Sequence, residues 1–314
     1  MPEIITARGS VDTSRLGVTL MHEHVVTRSP GLFEAWPHLW DRGAEMQRAV
    51  GLLSGAAAEG INTIVDLTTI DLGRDVAFVR DVSKQVPVNI IMCTGVWRNP
   101  PRYFQQADAD HIADLFVRDI EEGMEGTDVR AGIIKLATEP DVDELNDKLL
   151  RAGARAHRRT GVPISTHHDV STGCGLRQQD VFESEGVDLS RVVIGHSGDT
   201  ADTDYLVSIM KRGSTIGMDR FGIDRFLPTA ERTETVARLC EAGYAGQMVL
   251  SHDANSYMDT IPPAVKAERM PNWHYLHISR DVLPALRQRG TPQEQIDTMM
   301  VHNPRHIFER QGAY

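Results

Sequence analysis

Short β-branched runs alternate along the chain with stretches in which apolar residues recur at helical spacing. In the stretch from residue 230 to 242, for example, Val236, Leu239 and Cys240 fall on one side of a helix. Eight runs indicate buried strands: Val18–Met21, Thr63–Leu67, Val88–Cys93, Ala131–Leu136, Pro163–Thr166, Val192–Gly195, Ser214–Met218 and Met248–Ser251. The segments that predict helices include Met46–Glu59, Val76–Lys84, His111–Gly123, Glu144–Arg159, Asp199–Lys211 and Ala230–Ala242.

Strands that alternate with helices predict an α/β protein with a parallel sheet and helices outside it. Eight such units close a (β/α)8 TIM barrel. An open doubly wound sheet is the alternative, but it usually carries a Gly-rich phosphate loop after strand one, whereas here that strand runs into Met21–His24. We therefore predict a single barrel domain over residues 1–314, with a long loop at Asp253–Pro271 and terminal helices within 278–314.

The composition is that of an ordinary soluble protein. Lys and Arg total 33 and Asp and Glu total 44, which gives a formal charge of −11. Nucleic acids and anionic membranes attract clustered positive charge, so we expect neither as a partner. No apolar run approaches the roughly 18 residues of a membrane span. Three widely spaced cysteines, Cys93, Cys174 and Cys240, argue against a disulfide framework and favour a cytoplasmic location.

Histidine is abundant, with 13 residues, and several histidines lie at predicted strand ends. The carboxyl ends of the strands form the active site in a TIM barrel. In chain order these ends carry six ionisable or metal-binding residues: His22, His24, Lys135, His167, His196 and Asp253. Side chains two positions apart on a strand point the same way, so His22 and His24 can reach one cation while Glu23 points towards the helices. The pattern predicts a metal site.

Lys135 is the unusual member of this set. An ammonium group repels a divalent cation, so an unmodified lysine among metal ligands is physically awkward. A neutral amine, however, can react with CO2 to form a carbamate, and the two oxygens of that anion can bridge two cations. The alternative is that Lys135 forms an ion pair with a barrel carboxylate such as Asp66.

The same residues resemble the phosphotriesterase family of the amidohydrolase superfamily, and most closely its phosphotriesterase-like lactonases. The resemblance runs from Leu16 to Gln311 and rests on these motifs: His22-x-His24, Gly-Ile-Ile-Lys135, Thr166-His167, Gly195-His196-Ser-Gly-Asp199-Thr and Ser251-His252-Asp253. It implies two divalent metal ions, with Zn favoured and Co, Fe or Mn possible. The implied ligands of the more buried ion are His22, His24 and Asp253, those of the more exposed ion are His167 and His196, and carboxylated Lys135 bridges the two.

The resemblance also implies a mechanism and an assembly. A hydroxide that bridges the two metals is the nucleophile, Asp253 accepts its proton, and Asp199 relays that proton outward. Arg220 stands where phosphotriesterases carry a histidine, and the arginine form is that of the lactonases, as is the sequence Pro271–Ile278. Family members lead us to expect a homodimer.

Six residues are candidate substrate contacts, among them Arg220. The loop after strand eight forms the substrate entrance in the family, which suggests Tyr257 and Met258, although packing onto the barrel rim is the alternative for both. Trp97 stands where lactonases place a tyrosine, and an indole can donate one N–H but is not a phenol. Arg28 and Arg98 could line the entrance and favour a polar or anionic substrate; alternatively, both are solvated surface residues.

These features predict a binuclear metal-dependent hydrolase that opens lactones, including N-acyl-homoserine lactones, with weaker organophosphate triesterase activity. A second hypothesis keeps the metals and makes the protein an esterase, amidase or phosphotriesterase with another, polar or xenobiotic, substrate. A non-catalytic binding scaffold would lack at least one ligand, and all six are present. A relative of adenosine deaminase would lack the strand-four lysine, so Lys135 argues against it.

Overall fold

The protein is an α/β structure built around a curled parallel sheet. The structure is a computed structural model and describes residues 2–309 and 312–314, so Gln311, where the predicted resemblance ends, lies outside the described residues. Within those ranges the strands are β1 (Glu3–Thr6), β2 (Gly9–Asp12), β3 (Thr19–Thr27), β4 (Thr63–Asp66), β5 (Asn89–Gly95), β6 (Ile133–Ala137), β7 (Ile164–His167), β8 (Val192–Gly195), β9 (Thr215–Met218), β10 (Met248–Leu250) and β11 (Asn255–Met258).

Helices follow most of these strands in the chain. The α-helices are α1 (Leu32–Ala35), α2 (Arg42–Ala58), α3 (Val76–Ser83), α4 (Arg102–Gln106), α5 (Ala109–Glu121), α6 (Glu144–Thr160), α7 (Cys174–Ser184), α8 (Thr203–Lys211), α9 (Thr229–Glu241), α10 (Pro263–Arg269), α11 (Leu283–Gln288), α12 (Gln293–Asp297) and α13 (Asn303–Glu309). Two π-helical turns, Ile278–Val282 and Thr298–His302, interrupt the terminal helices.

The sheet has nine strands that pair side by side in chain order from β3 to β10, with β11 added beyond β3, and every pairing is parallel. Hydrogen bonds also join the two ends of the series. The Asp253 N–H donates to the His22 carbonyl at 3.0 Å, and the His24 N–H donates to the Ala254 carbonyl at 2.8 Å. This arrangement is TIM-like and confirms the predicted α/β architecture.

The eight predicted strands correspond to β3–β10, and their bounds agree closely except at the first strand. That strand continues to Thr27 because β11 pairs with its second half, Asn255 beside His24 and Met258 beside Thr27. The predicted long loop Asp253–Pro271 is therefore wrong in part, since it contains β11 and α10. The β1–β2 hairpin was also absent from the sequence prediction, because its alternation of apolar and polar residues is too short to stand out.

Aspartates start the helices that follow the sheet strands. In five helices an Asp side chain accepts a hydrogen bond from a backbone N–H of the first turn, at 2.7–3.1 Å. The capping residues are Asp41, Asp75, Asp108, Asp143 and Asp202. Such caps satisfy N–H groups that have no partner within the helix, so they fix where each loop above the sheet ends.

An apolar layer fills the interior of the curled sheet beneath the polar strand ends. Six strands of the sheet contribute buried residues to it, which include Met21, Val65, Ile91, Ile133, Val193 and Val249. Ile307 and Phe308 of α13 belong to the same cluster and close it from below. Lys135 lies two positions after Ile133 on β6 and therefore on the same side of the strand, which places its amine above the apolar layer.

The Glu23 side chain connects β3 to the segment that directly follows β10. It is fully buried, and its carboxylate accepts hydrogen bonds from the Ser251 hydroxyl (2.8 Å), the His252 ring (2.7 Å), and the backbone N–H groups of His252 (3.0 Å) and Ala254 (2.8 Å). The Ser251 hydroxyl in turn accepts from the His22 N–H at 2.9 Å. The predicted orientation of Glu23, away from the neighbouring histidines, agrees with these contacts.

Replacing Glu23 with glutamine should destabilise the fold. Glutamine has a single acceptor oxygen and would turn an NH2 group towards N–H donors, so buried donors lose their partner. We expect the free energy of unfolding to fall by roughly 2–4 kcal/mol in urea denaturation. Glu59→Gln, which removes a surface partner of Arg280, is the control and should change it by less than about 1 kcal/mol. Equal effects of the two substitutions would contradict this role of Glu23.

Candidate active site

Three histidine rings converge on one carboxylate at the carboxyl ends of the strands. Asp253 Oδ1 lies 2.9 Å from His24 Nε2 and 3.4 Å from His22 Nε2, and Asp253 Oδ2 lies 4.0 Å from His196 Nε2. His22, His24 and Asp253 each offer a ligand atom within 4.8 Å of the others, as do His22, His196 and Asp219. The structure therefore brings four of the six predicted strand-end residues into direct proximity: His22, His24, His196 and Asp253. Each of the two groups of ligand atoms could hold a metal ion.

Buried partners hold the outer nitrogens of these rings. One carboxylate oxygen of Asp219 lies 2.8 Å from His22 Nδ1, and the other lies 3.0 Å from His196 Nδ1. Thr68 Oγ1 lies 2.9 Å from His24 Nδ1. A carboxylate beside Nδ1 fixes the tautomer of an imidazole, so the Nε2 lone pairs of His22 and His196 face the centre of the site. The Thr68 hydroxyl can donate or accept, and it fixes the orientation of the His24 ring.

Burial keeps the rings neutral. It lowers the pKa of His22, and it lowers the pKa of His167 and His196 well below the usual value, because a charged imidazole loses its hydration. A neutral imidazole has a free lone pair, which a protonated ring lacks. The histidines are thus in the protonation state that metal binding requires.

Two of the converging residues have an uncommon backbone conformation. His196 (φ 62°) and Asp253 (φ 55°) both lie in the left-handed region. Such conformations are unfavourable for residues other than glycine and persist where the surrounding contacts enforce them, frequently at functional sites. For Asp253 these contacts include the Trp273 indole, which donates to its carbonyl at 2.9 Å.

Lys135 is almost completely buried, and its Nζ donates to the Thr166 carbonyl at 3.3 Å. Burial lowers its pKa to about 8, against the opposing attraction of Asp219 and Asp253. Within the described part of the chain no ion pair joins Lys135 to Asp66, whose carboxylate instead accepts from the Thr68 N–H at 3.0 Å. The amine therefore gives up its proton near pH 8 instead of 10.5, which makes the neutral form that carbamate formation requires more accessible.

His167 lies beside His196, with ring centroids 4.5 Å apart, but its nitrogens have different partners. The Trp97 indole N–H donates to Nδ1 at 3.3 Å, and Nε2 lies 2.6 Å from a carboxylate oxygen of Glu139. His167 is thus in the predicted location, although it is not part of either group of converging atoms.

Arg220 connects two carboxylates of the site. Its Nε donates to Asp253 at 3.1 Å and its Nη1 donates to Asp199 at 2.7 Å. The fully buried Arg232 binds the other oxygen of Asp199 at 2.8 Å and donates to the carbonyls of Gly198 and Arg220. Because a guanidinium does not release its proton in proteins, Arg220 separates Asp253 from Asp199 as far as proton transfer is concerned.

The site opens into a cavity of about 450 Å³. Four of the predicted substrate contacts line it: Trp97, Arg98, Arg220 and Met258. Arg98 is paired with Glu139 at 3.1 Å. The structure does not bring Arg28 or Tyr257 to the lining, because both lie against the Trp40 ring, Arg28 also in an ion pair with Asp75 at 2.9 Å.

The sequence prediction assigned no role to Asp219 or Glu139. Asp219 directly follows β9, and Glu139 comes two residues after β6, so both obey the strand-end rule that identified the other residues. Arg232 and Thr68 give no comparable signal, because their contacts depend on how separate loops pack.

Comparisons with known proteins agree with this geometry. The profile of the phosphotriesterase family matches residues 2–308. A Mycobacterium tuberculosis protein named phosphotriesterase homology protein is 49% identical over the whole of both chains. The aryldialkylphosphatase of Saccharolobus solfataricus is 38% identical, and the match covers 97% of this chain and 98% of that one. A solved structure of the phosphotriesterase from Mycobacterium tuberculosis matches with a TM-score of 0.97 at 48% identity, with complete coverage of both chains.

The fold and the converging histidines and carboxylates define an α/β hydrolase with a curled, TIM-like parallel sheet. The chain belongs to the phosphotriesterase family, as the sequence resemblance implied, and it is a hydrolase of that family. None of its described helices is both long and apolar enough to cross a membrane.

The lowered pKa of Lys135 predicts a pH dependence of stability in metal-free, CO2-free buffer. The folded state releases this proton near pH 8 and the unfolded chain near 10.5, so stability rises between these values and the full penalty for the buried charge persists below them. Relative to Lys135→Met, which has no such proton, the wild-type free energy of unfolding should increase by roughly 2–3 kcal/mol between pH 7 and pH 10. Urea denaturation of both proteins measures this difference, and a constant difference would contradict the lowered pKa.

Proposed function

We propose that the protein is a binuclear metal-dependent hydrolase that opens lactones, N-acyl-homoserine lactones among them, and hydrolyses organophosphate triesters more weakly. The proposal rests chiefly on one observation, the convergence of three Nε2 atoms on Asp253 within 2.9–4.0 Å, next to the buried amine of Lys135. A single closed (β/α)8 barrel, a homodimer and a cytoplasmic location stay predictions from the sequence.

The residues fit the two cations. Imidazole nitrogen and carboxylate oxygen together suit Zn, and also Co, Fe or Mn. We assign His22, His24 and Asp253 to the first ion and His167 and His196 to the second, with carboxylated Lys135 between the two. When bound, two such ions lower the pKa of a water and polarise the carbonyl or phosphoryl oxygen of the substrate.

Side chains of the protein then transfer the proton of the attacking water. Asp253 accepts the proton of the attacking water and returns it to the oxygen of the leaving group, which in a lactone stays attached as the new hydroxyl. Arg220 holds one oxygen of Asp253 at 3.1 Å and so fixes the direction of the carboxylate. We propose that Asp199, through its 2.7 Å bond, anchors Arg220, because an intervening guanidinium cannot relay a proton.

The cavity is compatible with a small, partly apolar substrate. Ile223, Phe226, Met258 and Trp273 line it and could contact an acyl chain. Since Arg98 is paired with Glu139 and Arg28 with Asp75, the charges of these two arginines do not favour an anionic substrate. The second candidate, an esterase, amidase or phosphotriesterase with the same centre, draws on the 38% identical relative named aryldialkylphosphatase.

Metal analysis and a substrate panel test the proposal. We expect the purified protein to hold two divalent ions per chain, to lose lactone hydrolysis on chelation and to regain it with Zn, Co or Mn. In kcat/KM, lactones should rank above aryl esters, anilides and phosphate triesters. Full lactone turnover by metal-free protein would contradict the mechanism, and a higher rank for another substrate class would favour the second candidate.

Replacing Lys135 with alanine tests the carbamate. We expect the Lys135→Ala protein to lose lactone turnover by on the order of a hundredfold or more, because a bridging ligand disappears. After incubation with ¹³C-bicarbonate, the wild type should give a carbamate carbon signal by NMR that Lys135→Ala lacks. Lys266→Met is a matched control, since Lys266 is partly buried and also has a pKa lowered to about 8, and this variant should keep the signal. Wild-type turnover in Lys135→Ala would contradict the bridging role.

A further inference from the structure

Glu139 extends from the mouth of the cavity to a buried imidazole. One carboxylate oxygen lies 2.6 Å from His167 Nε2, and the other lies 3.1 Å from Arg98 Nη2. The Glu139 side chain is 28% exposed, whereas that of His167 is 3% exposed. A charged group at the solvent edge is therefore tied to a neutral ring in the interior, and Arg98 holds its far side.

Trp97 determines which nitrogen of His167 carries the proton. An indole N–H can only donate a hydrogen bond, and it lies 3.3 Å from His167 Nδ1, so Nδ1 is the acceptor and carries the lone pair. A cation bound at Nδ1 would take the place of this hydrogen bond. In a neutral imidazole the hydrogen is then on Nε2, where it is donated to Glu139. The two contacts thus specify one tautomer.

This arrangement is the reverse of that in the other three rings. His22, His24 and His196 have their Nδ1 atoms bound to partners and turn their Nε2 atoms towards Asp253. His167 has its Nε2 bound and keeps the lone pair on Nδ1. Glu139 therefore has the same relation to His167 that Asp219 has to His22 and His196.

We propose that Glu139 is a positioning residue for the second cation position. It fixes the tautomer and ring orientation of His167, and Arg98 keeps the carboxylate in place. A carboxylate on the outer nitrogen of a ligand histidine also raises the basicity of the ring, which strengthens its bond to a metal. This inference rests on the proposed binuclear centre and adds to it a residue that does not itself bind the ion.

The ion pair of Arg98 and Glu139 contributes orientation more than stability. The Arg98 side chain is 42% exposed, and such partly exposed pairs stabilise folds little. Its geometry is nevertheless restricted, because the guanidinium lies 5.2 Å from the centroid of the Trp97 ring. Trp97, Arg98 and Glu139 thus enclose His167 together, and changes in this set should reach the second ion through the histidine.

Binding of Zn²⁺ to the full-length protein tests the proposal. In titration calorimetry, Glu139→Gln should weaken binding of the second ion by about 10–100-fold and leave the first unchanged, as is typical when the hydrogen-bond partner of a ligand histidine is altered. Arg98→Met should give a smaller loss in the same direction. Asp141→Asn is the matched control, because it removes the same charge from the same loop, where Asp141 pairs with Arg177, and it should leave both affinities unchanged.

Nitrogen NMR of histidine-labelled protein supplies a second readout that does not depend on affinity. The wild type should give the Nε2–H tautomer for His167, and Glu139→Ala should give a mixture of tautomers. Unchanged affinity and tautomer in the Glu139 variants would overturn the proposal. A loss as large as that of His167→Ala would also overturn it, since Glu139 would then be a ligand. Wild-type protein that binds a single ion would contradict the binuclear centre itself.

Discussion

The hydrogen bonding of the fully buried Glu23 carboxylate is the interaction on which the site depends most. A buried charge is tolerated only when hydrogen bonds replace its hydration, and here four donors from the end of the last strand do so. Because Glu23 lies between His22 and His24, the same three residues provide two of the proposed ligands and the closure of the sheet. The residue after His252, Asp253, is thereby held in its left-handed conformation opposite His24.

The polar layer above the apolar interior also contains buried carboxylates whose lost hydration is replaced by hydrogen bonds. Asp219 uses one oxygen for His22 and the other for His196, so a single carboxylate after β9 orients one ring on β3 and one that follows β8. Burial keeps those rings neutral and makes Lys135 a weak base. Because the rings are neutral, they do not compensate the negative charge of Asp219, and in a low dielectric a divalent ion nearby would do so strongly.

The features of the fold and the site that could be predicted from the sequence are those that depend on residues close together in the chain. Strand ends are local features, so their six residues were identified correctly as neighbours of one cavity, including Lys135 deep inside it. Strand alternation does not describe left-handed positions such as His196, and it says nothing of contacts between loops, which is why the stack of Arg28 on Trp40 and the clamp of Arg232 were missed. β11 was missed because its pairing with the first strand links residues about 230 positions apart in the chain.

The two proposed ion positions differ in what supports them. The rings of His22 and His24 at the first position are held by Asp219 and Thr68, which are both almost fully buried. At the second position His196 shares Asp219, whereas His167 is held by Trp97 and Glu139, which are partly exposed at the cavity mouth. Groups at a mouth belong to loops, and loops tolerate sequence change far better than the interior does. Variation around Trp97 and Glu139 can therefore adjust the substrate cavity and the second ion together, while the first position stays fixed by the barrel.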